Sequence, residues 1–114
     1  MTSQAFTAEL DALAVYTDRG IVSKTVYESS GLNVVLFTFD AGQQLSEHTA
    51  SVPAIIHLLE GEAEVQLGER HIDGRPGLWA YLPANLPHAI RAKTRLAMLL
   101  TMLRREEESI SGSG

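Results

Sequence analysis

Four histidines, at positions 48, 57, 71 and 88, are the side chains of this 114-residue sequence suited both to moving a proton and to holding a metal ion. A neutral imidazole offers one ring nitrogen to an ion or a ligand while the other keeps a hydrogen bond. The sequence has no cysteine, so no thiolate site and no disulfide can form, and any ion must be held by nitrogen and oxygen. The histidines fall on different segments, which excludes the His-x-x-x-His face of a metalloprotease helix. There is also no Gly-rich phosphate loop and no Gly-x-Ser-x-Gly nucleophile elbow. Chemistry at histidine must therefore be assembled by the fold.

The elements that could assemble it are strands. From Ile21 onward, short β-branched and apolar runs are broken by glycine, proline and asparagine at the spacing of a sandwich or barrel. The pattern predicts strands near 21–27, 32–39, 44–48, 54–60, 62–67, 69–72, 78–82, 88–92 and 95–103. Turns follow from Asp40-Ala41-Gly42, Glu60-Gly61, Leu67-Gly68-Glu69, Asp73-Gly74-Arg75-Pro76-Gly77 and Pro83-Ala84-Asn85. Before them, Phe6, Leu10, Leu13 and Ala14 allow a short helix or turn. The reading is one all-β domain: an N-terminal arm over 1–20, a barrel over 21–103 and a flexible C-terminal tail over 104–114.

Charge narrows the partners. Fourteen acidic against nine basic side chains give a net charge of −5, which repels phosphate backbones and anionic membrane surfaces, so no nucleic acid and no membrane is expected. No apolar run approaches the length of a membrane span, and the first residues have neither a basic nor an apolar leader segment. The expected location is cytoplasmic. Val34 to Phe37 and Leu96 to Leu100 are apolar on both faces, which predicts strands covered on both sides and, from that, a homodimer.

Two segments carry a family resemblance. In Gly42-Gln43-Gln44-Leu45-Ser46-Glu47-His48 a glycine stands six residues before a histidine, and the chain continues through Ile56-His57 to Gly61. In Gly77-Leu78-Trp79-Ala80-Tyr81-Leu82-Pro83-Ala84-Asn85-Leu86-Pro87-His88 a proline follows the glycine by six residues and a histidine follows the proline by five. These resemble the two motifs of the cupins, and the sequence is identified as a small single-domain cupin of the type-2, RmlC-like kind. The resemblance implies a double-stranded β-helix, or jelly-roll barrel, and in many members one divalent metal inside, held by three histidines and a glutamate.

Carried over by position, the metal ligands are His48 and His88. The family's second histidine falls at Ala50 and its glutamate at Ala54, whose methyl groups cannot coordinate. The ion expected is one divalent transition metal, Zn²⁺, Ni²⁺, Cu²⁺ or Fe²⁺; two imidazoles suit the first three, while Fe²⁺ lacks its usual carboxylate. By strand parity Gln44 shares a face with His48 and is a candidate weak oxygen ligand. His57 falls on the opposite face from Ala54 and is expected at an interface or on the outer surface, and His71 in a polar surface hairpin. Met98 lies on the face of the last strand that often lines the pocket in cupins and serves either as a pocket wall or as ordinary core packing; Trp79 and Tyr81 share a face and serve either as pocket walls or as interface anchors.

These residues predict a protein that binds a small organic ligand in the barrel cavity, with a weakly held divalent metal on His48 and His88. The family resemblance keeps a second reading open: a metal-dependent isomerase, decarboxylase or dioxygenase acting on a small carbonyl or carboxylate compound. No side chain is singled out as a catalytic acid or base.

Overall fold

The computed structural model describes residues 4–104. Nine strands follow a one-turn helix, α1 (Leu10–Leu13): β1 (Ile21–Glu28), β2 (Leu32–Phe39), β3 (Gln44–His48), β4 (Ala54–Glu60), β5 (Ala63–Leu67), β6 (Arg70–Gly74), β7 (Trp79–Leu82), β8 (His88–Ala92) and β9 (Leu96–Leu103). They form a five-stranded sheet in the order β1-β2-β9-β4-β7 and a four-stranded sheet in the order β3-β8-β5-β6, antiparallel at every pairing. This is the expected all-β jelly roll. The expected tail, apart from Arg104, lies outside the described residues.

The glycines and asparagine of the turns do the work foreseen for them. At the β4–β5 turn Gly61 has a φ of +84°, and an added Cβ would run into the backbone carbonyl of Arg95, so no other residue fits there. Asn85, between β7 and β8, holds a φ of +68°, the left-handed conformation its short amide side chain tolerates.

Alternation along each strand sends one set of side chains inward. Phe39, Ile56, Leu58, Val65, Leu82, Ile90, Leu96 and Met98 are almost fully buried and form one continuous core between the sheets. Burial on this scale supplies the main stabilising term, at roughly 25 cal/mol per Å² of apolar surface removed from water. The registers stack these residues in rows. In the larger sheet the rows run Phe37-Met98-Leu58, then Val35-Leu100-Ile56-Ala80, then Asn33-Met102-Ala54-Leu82. In the smaller sheet they run Ala92-Ala63-Gly74, then Leu45-Ile90-Val65-Ile72, then His48-His88-Leu67-Arg70.

The close packing of Gly74 fixes how these rows face one another. A Cβ added at Gly74 would meet Leu58 Cδ1 at 2.5 Å and Leu78 Cδ2 at 3.3 Å, so the Gly74 row lies against the Leu58 row. Two rows further along both sheets, the His48-His88 row lies level with the Asn33-Met102-Ala54 row at the open end of the barrel. The β1–β2, β3–β4, β5–β6 and β7–β8 connections surround that end.

The doubly apolar strands have an intramolecular explanation over part of their length. Leu36, Thr38 and Ala97 face away from the core yet are 1–2% exposed, and the N-terminal arm reaches this face at Thr38, whose Oγ1 donates to the Val15 carbonyl at 2.5 Å. The arm is pinned at the closed end of the barrel. Tyr16 donates to Glu60 at 3.0 Å beneath the Arg95 guanidinium, which also pairs with Asp18 and Asp40. Burial and the neighbouring Glu60 carboxylate push the Tyr16 hydroxyl up to about 12. Hydrogen bonds from the Arg19 N–H, the Arg95 side chain and the Ala41 N–H hold the Asp40 carboxyl below the usual carboxylate range.

Candidate functional site at the barrel mouth

His48 ends β3 and His88 begins β8, and the two are cross-strand partners. Strict alternation would not put them together. Leu45 pairs with Ile90 and His48 with His88, so three residues of β3 span what two residues of β8 span, and a bulge between Leu45 and His48 returns the imidazole to the inner face. Bulges of this kind re-aim a side chain at the end of a strand, and here the result is two rings with centroids 4.2 Å apart, tilted by 59°.

Each ring is oriented by its own chain. His48 Nδ1 lies 2.9 Å from the Ser46 carbonyl and His88 Nδ1 lies 2.9 Å from the Leu86 carbonyl. A carbonyl only accepts, so each Nδ1 carries the hydrogen and each Nε2 is left with its lone pair. This is the tautomer a metal ligand needs, set by a backbone partner in the way ligating histidines are usually held. His88 is 7% exposed and His48 is open to solvent, so the pair forms a lip rather than a sealed chamber. Hydrogen bonds from the Asn85 N–H to the Ala50 carbonyl and from the Gly68 N–H to the Pro87 carbonyl, both 2.7 Å, brace the surrounding loops.

The other ligand positions implied by the family pattern hold no donor. Ala54 is buried on the inner face between Leu82 and Met102, and Ala50 lies in the β3–β4 loop. No group of three or more histidine, aspartate or glutamate side chains is placed to hold a metal ion among the described residues. The two imidazoles fit an ion that favours nitrogen, such as Zn²⁺, Ni²⁺ or Cu²⁺, and do not form the two-histidine, one-carboxylate triad of a ferrous oxygenase.

The remaining expected residues lie elsewhere. Gln44 does not share the face of His48: the bulge breaks the parity, and Gln44 pairs with Arg91 on the outside of the smaller sheet. There it borders a groove of about 270 Å³ with Glu47, Glu64, Gln66 and His71. In that groove the Arg91 guanidinium, 3.2 Å from Glu64, holds the Glu64 carboxyl below its ordinary range. Trp79 and Tyr81 are 58% and 52% exposed on the outer face of the edge strand β7, opposite His57 and Ile55, so they are not walls of the barrel interior. Met98 is core, two rows below the histidines, and the methionine level with them is Met102. His57 and His71 take their expected outer positions.

Asn33 was not singled out by its sequence context. It is the polar residue in an inward series with Val35, Phe37 and Phe39, which was the available signal. Its Oδ1 is buried and accepts no hydrogen bond among the described residues.

Comparison with known proteins agrees with this geometry. The cupin domain family matches residues 35–103, more than half of the chain. A cupin superfamily protein from Desulfitobacterium hafniense superposes with a TM-score of 0.80 at 27% identity, over 90% of this chain and 94% of that one. A conserved protein of unknown function from Streptococcus pyogenes gives 0.79 at 25% identity over 92% of each chain. An RmlC-like cupin from Desulfovibrio desulfuricans gives 0.67 at 30% identity, over 90% of this chain and 96% of that one. No curated protein matches. By its motifs, its jelly-roll sheets and the family match across the barrel, the chain belongs to the cupins.

Proposed function

We propose that this cupin binds a small organic ligand at the mouth of its barrel, anchored by one divalent transition-metal ion on Nε2 of His48 and His88. The observation that carries the reading is the matched pair of Nδ1 hydrogen bonds to backbone carbonyls, which leaves both Nε2 lone pairs available from adjacent rings. Two protein ligands leave coordination positions for a carboxylate or carbonyl oxygen of the ligand, and the Met102 thioether and Leu82 side chain give the inner wall an apolar, adaptable lining. The missing carboxylate favours Zn²⁺, Ni²⁺ or Cu²⁺ over Fe²⁺, so these donors give oxygenase chemistry no support.

Purification without nickel, followed by elemental analysis, tests the metal. The expected result is one ion per chain, lost in both His48→Ala and His88→Ala; wild-type protein that takes up no added ion would overturn the reading. Screening small carbonyl and carboxylate compounds for turnover and for thermal stabilisation then separates an enzyme from a binder, because a binder raises Tm without consuming its ligand.

A metal-free binding role is the second reading, favoured by the lack of any group of three metal-ligating histidine or carboxylate side chains among the described residues. In it the two Nε2 atoms accept hydrogen bonds directly from a ligand, and thermal stabilisation by that ligand survives a chelator. As a partner we infer a second copy of the chain on the outer face of β7, where Trp79 and Tyr81 leave a large aromatic surface in water.

A further inference from the structure

We propose that Asn33 is the third metal ligand of the mouth site, its side-chain oxygen taking over the role that a carboxylate at position 54 would have filled. The inference rests on the reading that His48 and His88 bind a metal ion, and it adds the donor that reading lacks.

Buried polar atoms are nearly always hydrogen-bonded, because a lone pair taken out of water without a replacement is costly, and an exception in a folded core calls for a cause. Asn33 Oδ1 is such an exception. Its position supplies the cause. Asn33 pairs with Met102, Met102 pairs with Ala54, and this row is level with the row containing His48 and His88. The β2–β3 connection, residues 40–43, carries the chain from the larger sheet to the smaller one; β2 leaves the mouth end and β3 returns to it, so Asn33 and His48 both lie at the mouth ends of their strands.

A leucine or valine at position 33 would continue the apolar series of Val35 and Phe37 and would leave no lone pair stranded. The amide is therefore a cost to the empty fold that a bound cation repays. An amide oxygen is an acceptable ligand to a borderline ion already held by two imidazoles, and it is uncharged. Two neutral nitrogens and a neutral oxygen leave the ion's full charge uncompensated by the protein, so the set is best completed by an anionic small ligand such as a carboxylate.

Zinc titration calorimetry and thermal unfolding on the full chain, comparing wild type with Asn33→Leu, Asn33→Asp and His48→Ala, test the proposal. Asn33→Leu is expected to raise the Tm of the metal-free protein and to weaken zinc binding by about tenfold, since it removes both the stranded acceptor and the third ligand. Asn33→Asp is expected to lower the Tm of the metal-free protein and to tighten zinc binding by about tenfold or more, since it supplies an anionic oxygen at the same place. Cobalt substitution adds a spectroscopic readout: the visible absorption of the Co²⁺ protein shifts between wild type and Asn33→Asp.

Zinc binding that is lost in His48→Ala and unchanged in both Asn33 variants would overturn the role of Asn33 while leaving the histidine site intact. No zinc binding in wild type or in Asn33→Asp would overturn the histidine reading and this inference with it.

Discussion

His48 and His88 face each other across the β3–β8 ladder with ring centroids 4.2 Å apart, each turned by a hydrogen bond from Nδ1 to the carbonyl two residues earlier in its own chain. The pair depends on one irregularity, the extra residue between Leu45 and His48. Deleting Ser46 removes the bulge and restores regular alternation, which turns the residue-48 imidazole to the outer face. We expect the deletion variant to retain its far-ultraviolet circular dichroism and to lose zinc binding. Retained zinc affinity in a folded deletion variant would show that the bulge does not set the site.

The β4–β5 turn should be intolerant of any side chain. Gly61→Ala forces a non-glycine residue to a φ of +84° and drives its Cβ into the Arg95 carbonyl. Strain of this kind costs on the order of 1–3 kcal/mol before the clash is counted, which lowers Tm by several degrees in a domain of this size. Thermal unfolding followed by circular dichroism measures the shift, and a variant that melts with wild type would contradict the turn geometry.

Tyr16 should ionise above the ordinary range of a tyrosine hydroxyl. Its hydroxyl is raised from 10.0 to about 12, so the protonated form is the one the folded state favours. The sign follows: the contribution of the Tyr16–Glu60 bond to stability is complete below pH 10 and is lost as the pH rises toward 12. An ultraviolet absorbance titration is expected to show a late phase in wild type that Tyr16→Phe lacks.

Trp79 reports on the outer face. If two copies meet there, sedimentation at micromolar concentration gives a dimer, and Trp79→Glu, which places a charge among the aromatic side chains of that face, gives a monomer with an unchanged fold. A wild-type monomer would dispose of the interface.

The strand plan was readable because turn chemistry punctuates it. Gly42, Gly61, Gly68 and Gly77 all adopt positive φ at turns that their identity announces, and most strands between them begin and end within a residue or two of the expected places. Side-chain direction was less readable. Parity counted from His48 puts Gln44 inside, and a single bulge that no residue type advertises puts it outside beside Arg91. The doubly apolar β2 and β9 likewise admit two coverings, and that the N-terminal arm supplies part of one depends on contacts such as Thr38 with Val15, far apart in sequence. Asn33 escaped notice because an isolated asparagine in a strand carries no motif; its meaning comes from the row it shares with Met102 and Ala54.

The most direct test of the central claim is a zinc titration by calorimetry on metal-free wild type, His48→Ala, His88→Ala and the double variant. One site per chain is expected in wild type, lost in each single variant and in the double variant, with all four proteins folded. Wild type that binds no zinc, or a double variant that binds it as wild type does, would contradict the account.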